Sequence, residues 1–437
     1  MARHRPLTRH QLVDAVLRAP QIHDLGAHLE PLQPRRRRHP LALHLAWGAM
    51  ARAWRSANRL DAAVTNGSWR RMIDTYNEVA TARGERTVGP FLPPLTSDTY
   101  RHARNLLTDD LVLPKLLDRF TSDAVDLANQ LGLLRTDGPG SRTRPDPSRT
   151  IYGDGTILRP LYNTESNGRS DPDAEQHDRF DGTHWGNNLV CITTRGPATH
   201  QRVVLTVGRV DEPNHEARTA VDLIRRVHAH AGDGIQAVVY DGAFRGRHHE
   251  TVMTELGLIV VNHVHPATRD GDERTWRVIP LGTWTHQPHG RDCRHQLAIH
   301  NGSVHDATID DSGHAVLSDP CQRRQVRRYP RGRRGGYRFS FGVTVDCPKE
   351  PFTAWISPHP PRGETGHTRP DQLRLIPPSD PHFQTLYGLR NDSEAINAEY
   401  KSTLSWSRAS ALGWRRQLLD LLSWALLNNA RAWQSHA

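Results

Sequence analysis

Asp154 stands in IYGDGTIL, an apolar strand pattern interrupted by a single acid between glycines. A carboxylate there is costly unless something positive sits beside it, and the small flanking residues leave room for a ligand. Asp241 directly follows the apolar run IQAVVY and opens the turn DGAF. Its carboxylate is therefore expected to project from the end of a central strand, next to that of Asp154. Two strand carboxylates that converge form the geometry of a metal site.

A third acid is offered by YGLRNDSEAINAEYK, where Tyr387, Arg390, Glu394 and Lys401 follow one another at intervals of 3, 4 and 7. At about 100° per residue these four fall in one helical stripe roughly 60° wide, and Asp392 and Glu399 point about 120° or more away. Glu394 is the preferred ligand. Each residue also has a plainer reading. Asp154 suits a turn and Asp241 a strand-end cap. With Asn391 as helix N-cap, Glu394 sits where a glutamate reaches back to the cap. Tyr387, Arg390 and Lys401 suit a solvated face with one Arg390 to Glu394 ion pair.

Three carboxylates can hold two divalent ions ~3.5 to 4 Å apart, which serve the attacking and leaving oxygens of phosphodiester cleavage. The oxygen-only set favours Mg²⁺, with Mn²⁺ as a substitute, over zinc. Lys401 then sets an ammonium against a DNA phosphate, Arg390 grips another, and Tyr387 bonds a phosphate or stacks on a displaced base. Lys401 is one of only three lysines, with Lys115 and Lys349, among 57 basic residues.

These residues carry a resemblance. Y-x2-R-x3-E-x6-K matches, without a gap, the signature of one large group of bacterial DDE-type insertion-sequence transposases. The resemblance extends to Asp154-Gly155 and to Asp241 with Phe244, and covers residues 150–433 in outline but not the first 140. It implies an α/β fold: a ribonuclease H-like catalytic core, a mixed central sheet flanked by helices, interrupted by a β-rich insertion. The separation of 153 positions between Asp241 and Glu394 leaves space for that insertion. It further implies a metal-dependent endonuclease and strand transferase that frees 3′-OH ends of an element and joins them to target DNA, cut-and-paste, often through a hairpin. Double-stranded DNA, as transposon ends and as target, and a homodimer in the synaptic complex are the partners implied.

The elements needed to position these residues can be read from the apolar pattern. Residues 1–40, with Arg35 to Arg38 between prolines, are expected to form a mobile basic arm. Residues 41–135 repeat apolar side chains at helical spacing and make an all-α domain, a candidate reader of DNA ends. DGPGSRTRPDPS marks a linker over 136–149. Strands at 150–158, 188–194, 202–210, 235–240 and 258–264, with helices at 216–230 and 247–256, form the first part of the core, 150–266. Residues 267–386 are polar and turn-rich with short alternations, a β-rich insertion, and 387–437 return to helix with Gly413 a possible break.

Within the insertion, Arg323 to Arg338 holds eight arginines with Tyr329 and Tyr337 interleaved, suiting either a clamp on DNA backbone or a solvated loop. Trp276 and Trp284 suit a flipped base or a small core. Cys293, His295, Cys321 and Cys347 offer a structural Zn²⁺ set without any C-x2-C pair.

A net charge of +10 suits a polyanionic partner. Four separated cysteines exclude a disulfide scaffold. No apolar run reaches the ~18 to 20 residues of a membrane span, so a cytoplasmic, nucleoid-associated protein is expected. Two rivals remain: a ribonuclease H-like nuclease that cuts without joining, and a domesticated, inactive DNA-binding protein. The second would be expected to have lost an acid or Lys401, and all are present.

Overall fold

Apolar residues at helical spacing build α1 (Arg9–Arg18), α2 (Pro20–Leu29), α3 (Leu41–Ala53), α4 (Ala57–Ala63), α5 (Asn66–Ala82), α6 (Ser97–Leu107) and α7 (Leu113–Gln130). A stretch richer in strands follows: β1 (Thr150–Leu158), β2 (Glu175–Arg179), β3 (Gly182–Arg195), β4 (Arg202–Arg209), α8 (Glu216–Ala231), β5 (Ala237–Val239), α9 (Gly246–Leu256) and β6 (Ile259–Val261). Next come β7 (Thr268–Asp270), β8 (Glu273–Thr275), β9 (Ile279–His286), β10 (Cys293–His300), β11 (Ser303–Ile309), β12 (Ala315–Leu317), β13 (Gln322–Pro330), β14 (Tyr337–Val345) and β15 (Phe352–Ile356). The chain closes with α10 (Thr368–Gln372), α11 (Pro381–Tyr387), α12 (Asn391–Ser402) and α13 (Trp414–Gln434). This computed structural model describes residues 7–33, 37–161, 171–179, 182–198, 201–213, 215–270, 273–310, 315–360 and 368–436.

The fold is mixed α/β and divides into two compact units, one of Met1–Arg135, Asp154–Gly232 and Asp392–Ala437, the other of Thr136–Gly153 and Asp233–Asn391. The division differs from the domains expected above.

In the first unit α13 is buried along almost its whole length, from Gln417 to Ala432, and packs on α1, α3 and β4. A helix apolar on every side must be covered on every side, and α3, buried from Leu41 to Arg52, obeys the same rule. The helices of 41–135 therefore share a core with β3 and β4, through α7 on β4 and α3 on α13, where a separate module was expected.

Residues 9–32 are helical and packed, where a mobile arm was expected. Thr8 caps α1 through Gln11, and Leu12, Val16, Ile22, Leu25 and Leu29 are buried beneath the intervening polar residues. Arg35 and Arg36 of the basic run lie outside the described residues. Gly26 permits the close crossing of α2 and α3: a Cβ there would lie 2.5 Å from that of Ala42.

The polar groups of α13 are matched. Asp420 accepts from Arg104 at 3.0 Å and from Ser410 at 2.7 Å, with Arg52 at 3.7 Å. Asn429 accepts from the Val204 N–H at 2.9 Å and donates to the Val204 carbonyl at 3.0 Å.

β3 is the long strand of this unit, antiparallel to β2 over its polar start and to β4 over its apolar remainder. It also neighbours β1.

In the second unit the start of β1 runs parallel to β5, with Thr150, Ile151 and Tyr152 opposite Ala237, Val238 and Val239, and β5 runs parallel to β6. The segment 136–149 is fixed by Arg149, which donates to the carbonyls of Gly138, Asp233 and Gly234. A free linker was expected there; a buried guanidinium must find acceptors, and these bonds hold the loop.

The insertion is β-rich, as expected: an antiparallel sheet of order β12-β11-β10-β9, another of order β13-β14-β15, and the β7-β8 pair. Among the described residues no helix is long and apolar enough to cross a membrane.

Candidate functional site

In the first unit, Asp154 lies mid-strand in β1 and is only partly buried. Its Oδ2 accepts a 2.8 Å hydrogen bond from the Asn397 side-chain amide on α12. Asn397 is buried and sits three residues past Glu394, one helical turn along the same side. The helix that carries the third acid is thus tied to the first acid by its own next turn. Glu394 itself is exposed.

The other acids of α12 are occupied by arginines of the sheet. Asp392 pairs with Arg195 at the end of β3, and Glu399 with Arg202 at the start of β4. Both face away from the Glu394 stripe, as the helical count implied. Behind β1, the Glu216 carboxylate fills the space over Gly155, where a Cβ would meet it at 2.2 Å, and Asn188 donates to it at 2.9 Å. Burial, with the nearby Asp154 charge, pushes the Cys191 thiol up to about 12, so this cysteine is an inert core residue.

In the second unit, Asp241 follows β5 and is partly buried. Its Oδ1 accepts from the Ala243 N–H at 2.9 Å, and Asn262 donates to the carbonyls of Asp241 and Phe244 at 3.2 and 2.9 Å. The strand-end cap anticipated for this aspartate is therefore present, and it occupies one carboxylate oxygen. Tyr240 stacks on Phe244 with ring centroids 4.3 Å apart, which fixes the turn.

Tyr387 ends α11, packed between Phe383 at 4.9 Å and His263 at 4.6 Å. Arg390 closes a 3₁₀ turn, Gly388–Arg390, with its guanidinium 5.9 Å from the Tyr387 ring. Glu394 and Lys401 belong to α12. The 3₁₀ turn departs from the 100° count between Tyr387 and Arg390, and Asn391, which is helical, is the first residue of α12 and not its N-cap. Glu394 and Lys401, seven residues apart on α12, still share a face.

The arginine-rich segment is a β-hairpin, β13 to β14, and four of its eight arginines have partners within the unit. Arg323 bonds Asp380 at 2.6 Å, Arg328 bonds Asp233 at 2.9 Å, Arg324 bonds Thr344, and Arg327 lies 3.8 Å over the Trp355 ring. Trp276 packs on His300.

A second cluster of metal-ligating side chains is built in the insertion from His286, Cys293, His295 and Cys347, whose ligand atoms all lie within 4.8 Å of one another. Such a group can hold a metal ion. It keeps three of the four residues anticipated for zinc and replaces the fourth. Cys321 is held elsewhere, its N–H bonded to Val304, and burial raises its thiol to about 11. The backbone N–H groups of Glu350 and Lys349 hold the Cys347 thiol at about 5.

Sequence reasoning missed Asn397 and His286. The first was legible as an amide one turn from Glu394; the second emerges only from hairpin register, which sets His286 opposite Cys293. A comparison with protein-family models finds none that matches this chain, and a comparison with curated proteins finds no match.

Proposed function

We propose that this protein is a DNA transposase with a ribonuclease H-like core, cutting the ends of an insertion sequence and joining the freed 3′-OH ends to target DNA. The observation that carries the reading is the Asp154 to Asn397 hydrogen bond. It relates the acid of the first strand to the helix bearing Glu394. The strand pairing of the second unit supports it further: β5 runs parallel to the start of β1 and β6 parallel to β5, and a stretch rich in strands lies between β6 and α12 in the chain.

In this reading Asp154, Asp241 and Glu394 hold two Mg²⁺ ions, for which Mn²⁺ substitutes. The donor set fits such ions: each acid offers carboxylate oxygens, and no thiol or imidazole belongs to the set. The ions supply activation of the attacking oxygen and stabilisation of the leaving one. The protein's own side chains do the rest. Asn397 fixes one Asp154 oxygen. Lys401, on the face of Glu394, neutralises a phosphate, and Arg390 and Tyr387 hold the flanking backbone of the DNA end.

The test uses duplexes from the inverted repeats that flank the reading frame. Asp154→Asn, Asp241→Asn and Glu394→Gln are each expected to abolish Mg²⁺-dependent end cleavage while end binding persists. A variant cleaving at the wild-type rate removes its residue from the site. Pre-cut ends that the wild type never joins to target DNA favour the nuclease that cuts without joining.

A further inference from the structure

The insertion holds a group of side chains that the proposed DNA chemistry does not use. In the antiparallel hairpin β9 to β10, Cys293 lies opposite His286, and His295 follows two residues later on the same face as Cys293. Cys347 comes from the other sheet, two residues past the end of β14. The two sulfurs are 3.4 Å apart. That is far beyond the ~2.05 Å of a disulfide, and close to the ~3.8 Å that separates two thiolates at ~2.3 Å from one tetrahedral zinc.

The histidines are set as ligands. The Nδ1 atom of His295 bonds the Asp306 carboxylate at 2.6 Å, the outer partner that orients a metal-bound imidazole and raises its basicity. The opposite ring nitrogen of His295, Nε2, is buried with no hydrogen-bond partner, and so is Nε2 of His286. A buried polar atom left in this way implies an absent partner. Phe352 stacks on the His286 ring at 4.2 Å and fixes its plane.

We propose that His286, Cys293, His295 and Cys347 bind one structural zinc ion in a closed tetrahedral site of two sulfurs and two nitrogens. On binding, both thiols release their protons to solvent and both imidazoles enter neutral, so Zn²⁺ with two thiolates is a neutral centre that suits a largely buried place. Four protein ligands leave no position for substrate, so the ion is structural. Its role is to fasten the β9 to β12 sheet to the β13 to β15 sheet, each too small to bury a substantial core alone. This inference does not rest on the transposase reading.

The full chain, purified without chelator, is expected to carry one zinc per chain by plasma mass spectrometry. His286→Ala and Cys347→Ser should lose the ion, His286→Cys should keep it, and Cys321→Ser should keep it in full. Cobalt substitution should give the intense visible bands of a tetrahedral ion with thiolate charge transfer. Should Cys347→Ser fail to fold, the wild-type cobalt spectrum still decides. The proposal is overturned if the wild type takes up no zinc from one added equivalent, or if iron or copper fills the site instead. It is equally overturned if zinc loss follows Cys321→Ser but not His286→Ala, or if a Cys293 to Cys347 disulfide is found in the isolated protein.

Discussion

Replacing Asn397 with aspartate sets two carboxylates against each other where the structure has a donor and an acceptor 2.8 Å apart. At an effective dielectric constant of about 20, two unit charges at that separation repel by about 6 kcal/mol. The pair instead captures a proton, and partial exposure of Asp154 screens the interaction, so one of the two groups is expected to bind its proton about two to three units above an ordinary carboxylate. Together with the lost charge-assisted bond, the cost at pH 7.5 is expected to be about 3 to 5 kcal/mol. The sign follows from linkage. The shared proton is bound in the folded state and released on unfolding, so the deficit grows as pH rises above about 4 and levels off above about 7. Between pH 7.5 and 5 roughly half or more of it should be recovered. Hydrogen exchange of the α12 backbone amides, measured at both pH values and corrected for the intrinsic rate, reports this local stability. Asn397→Asp with wild-type protection at pH 7.5, or a deficit of equal size at both pH values, would refute the reasoning and detach α12 from Asp154.

Two further stability predictions stand apart from function. Burial works against the charge of Asp420, but Arg104 and Arg52 outweigh it and hold the carboxyl below its usual range. Its contribution should be fully present above pH ~4 and disappear as pH falls through the lowered folded value. Asp420→Ala, which strands two guanidinium groups, should cost about 3 to 5 kcal/mol in urea unfolding at neutral pH, and a loss under 1 kcal/mol would contradict the pairing. Gly26→Ala should lower stability by about 1 to 3 kcal/mol, because the new methyl meets the backbone of α3 and not a movable side chain; an unchanged thermal midpoint would show that α2 and α3 are farther apart than described.

Much of the frame was legible because burial on both faces writes continuous apolar runs. IQAVVY and RVVLTVGRV could only be inner strands, and α8, with Ala217, Val221, Ile224 and Val227 inward, could only be amphipathic. β2 was not legible: EQHDR carries no apolar alternation, and it becomes a strand because the polar start of β3 offers it a partner. α1 and α2 were hidden by their arginines, histidines and prolines, although Leu12, Val16, Ile22 and Leu25 kept helical spacing. In the candidate site the acids were chosen by residue type and spacing. Asn397 was not, since an amide becomes informative only once it is known what it faces. The zinc set was read as three cysteines and a histidine; hairpin register, a property of pairing and not of spacing, put His286 where Cys321 was expected.

One contact in the first unit bears on the behaviour of this protein in concentrated solution. Among the described strands β4 pairs with β3 alone, so its outer rim presents peptide groups on which a strand from another molecule could grow. The carboxamide of Asn429 reproduces there the donor and acceptor of a single peptide unit, satisfying both backbone groups of Val204 at once. The helix lends two side chains as counterfeit neighbours for the rim, Asn429 at Val204 and Asn428, which donates to the Arg202 carbonyl at 2.9 Å, and with those positions taken an incoming chain finds no unbroken ladder to extend. Asn429→Leu would leave the packing volume nearly unchanged while stranding both backbone groups of Val204.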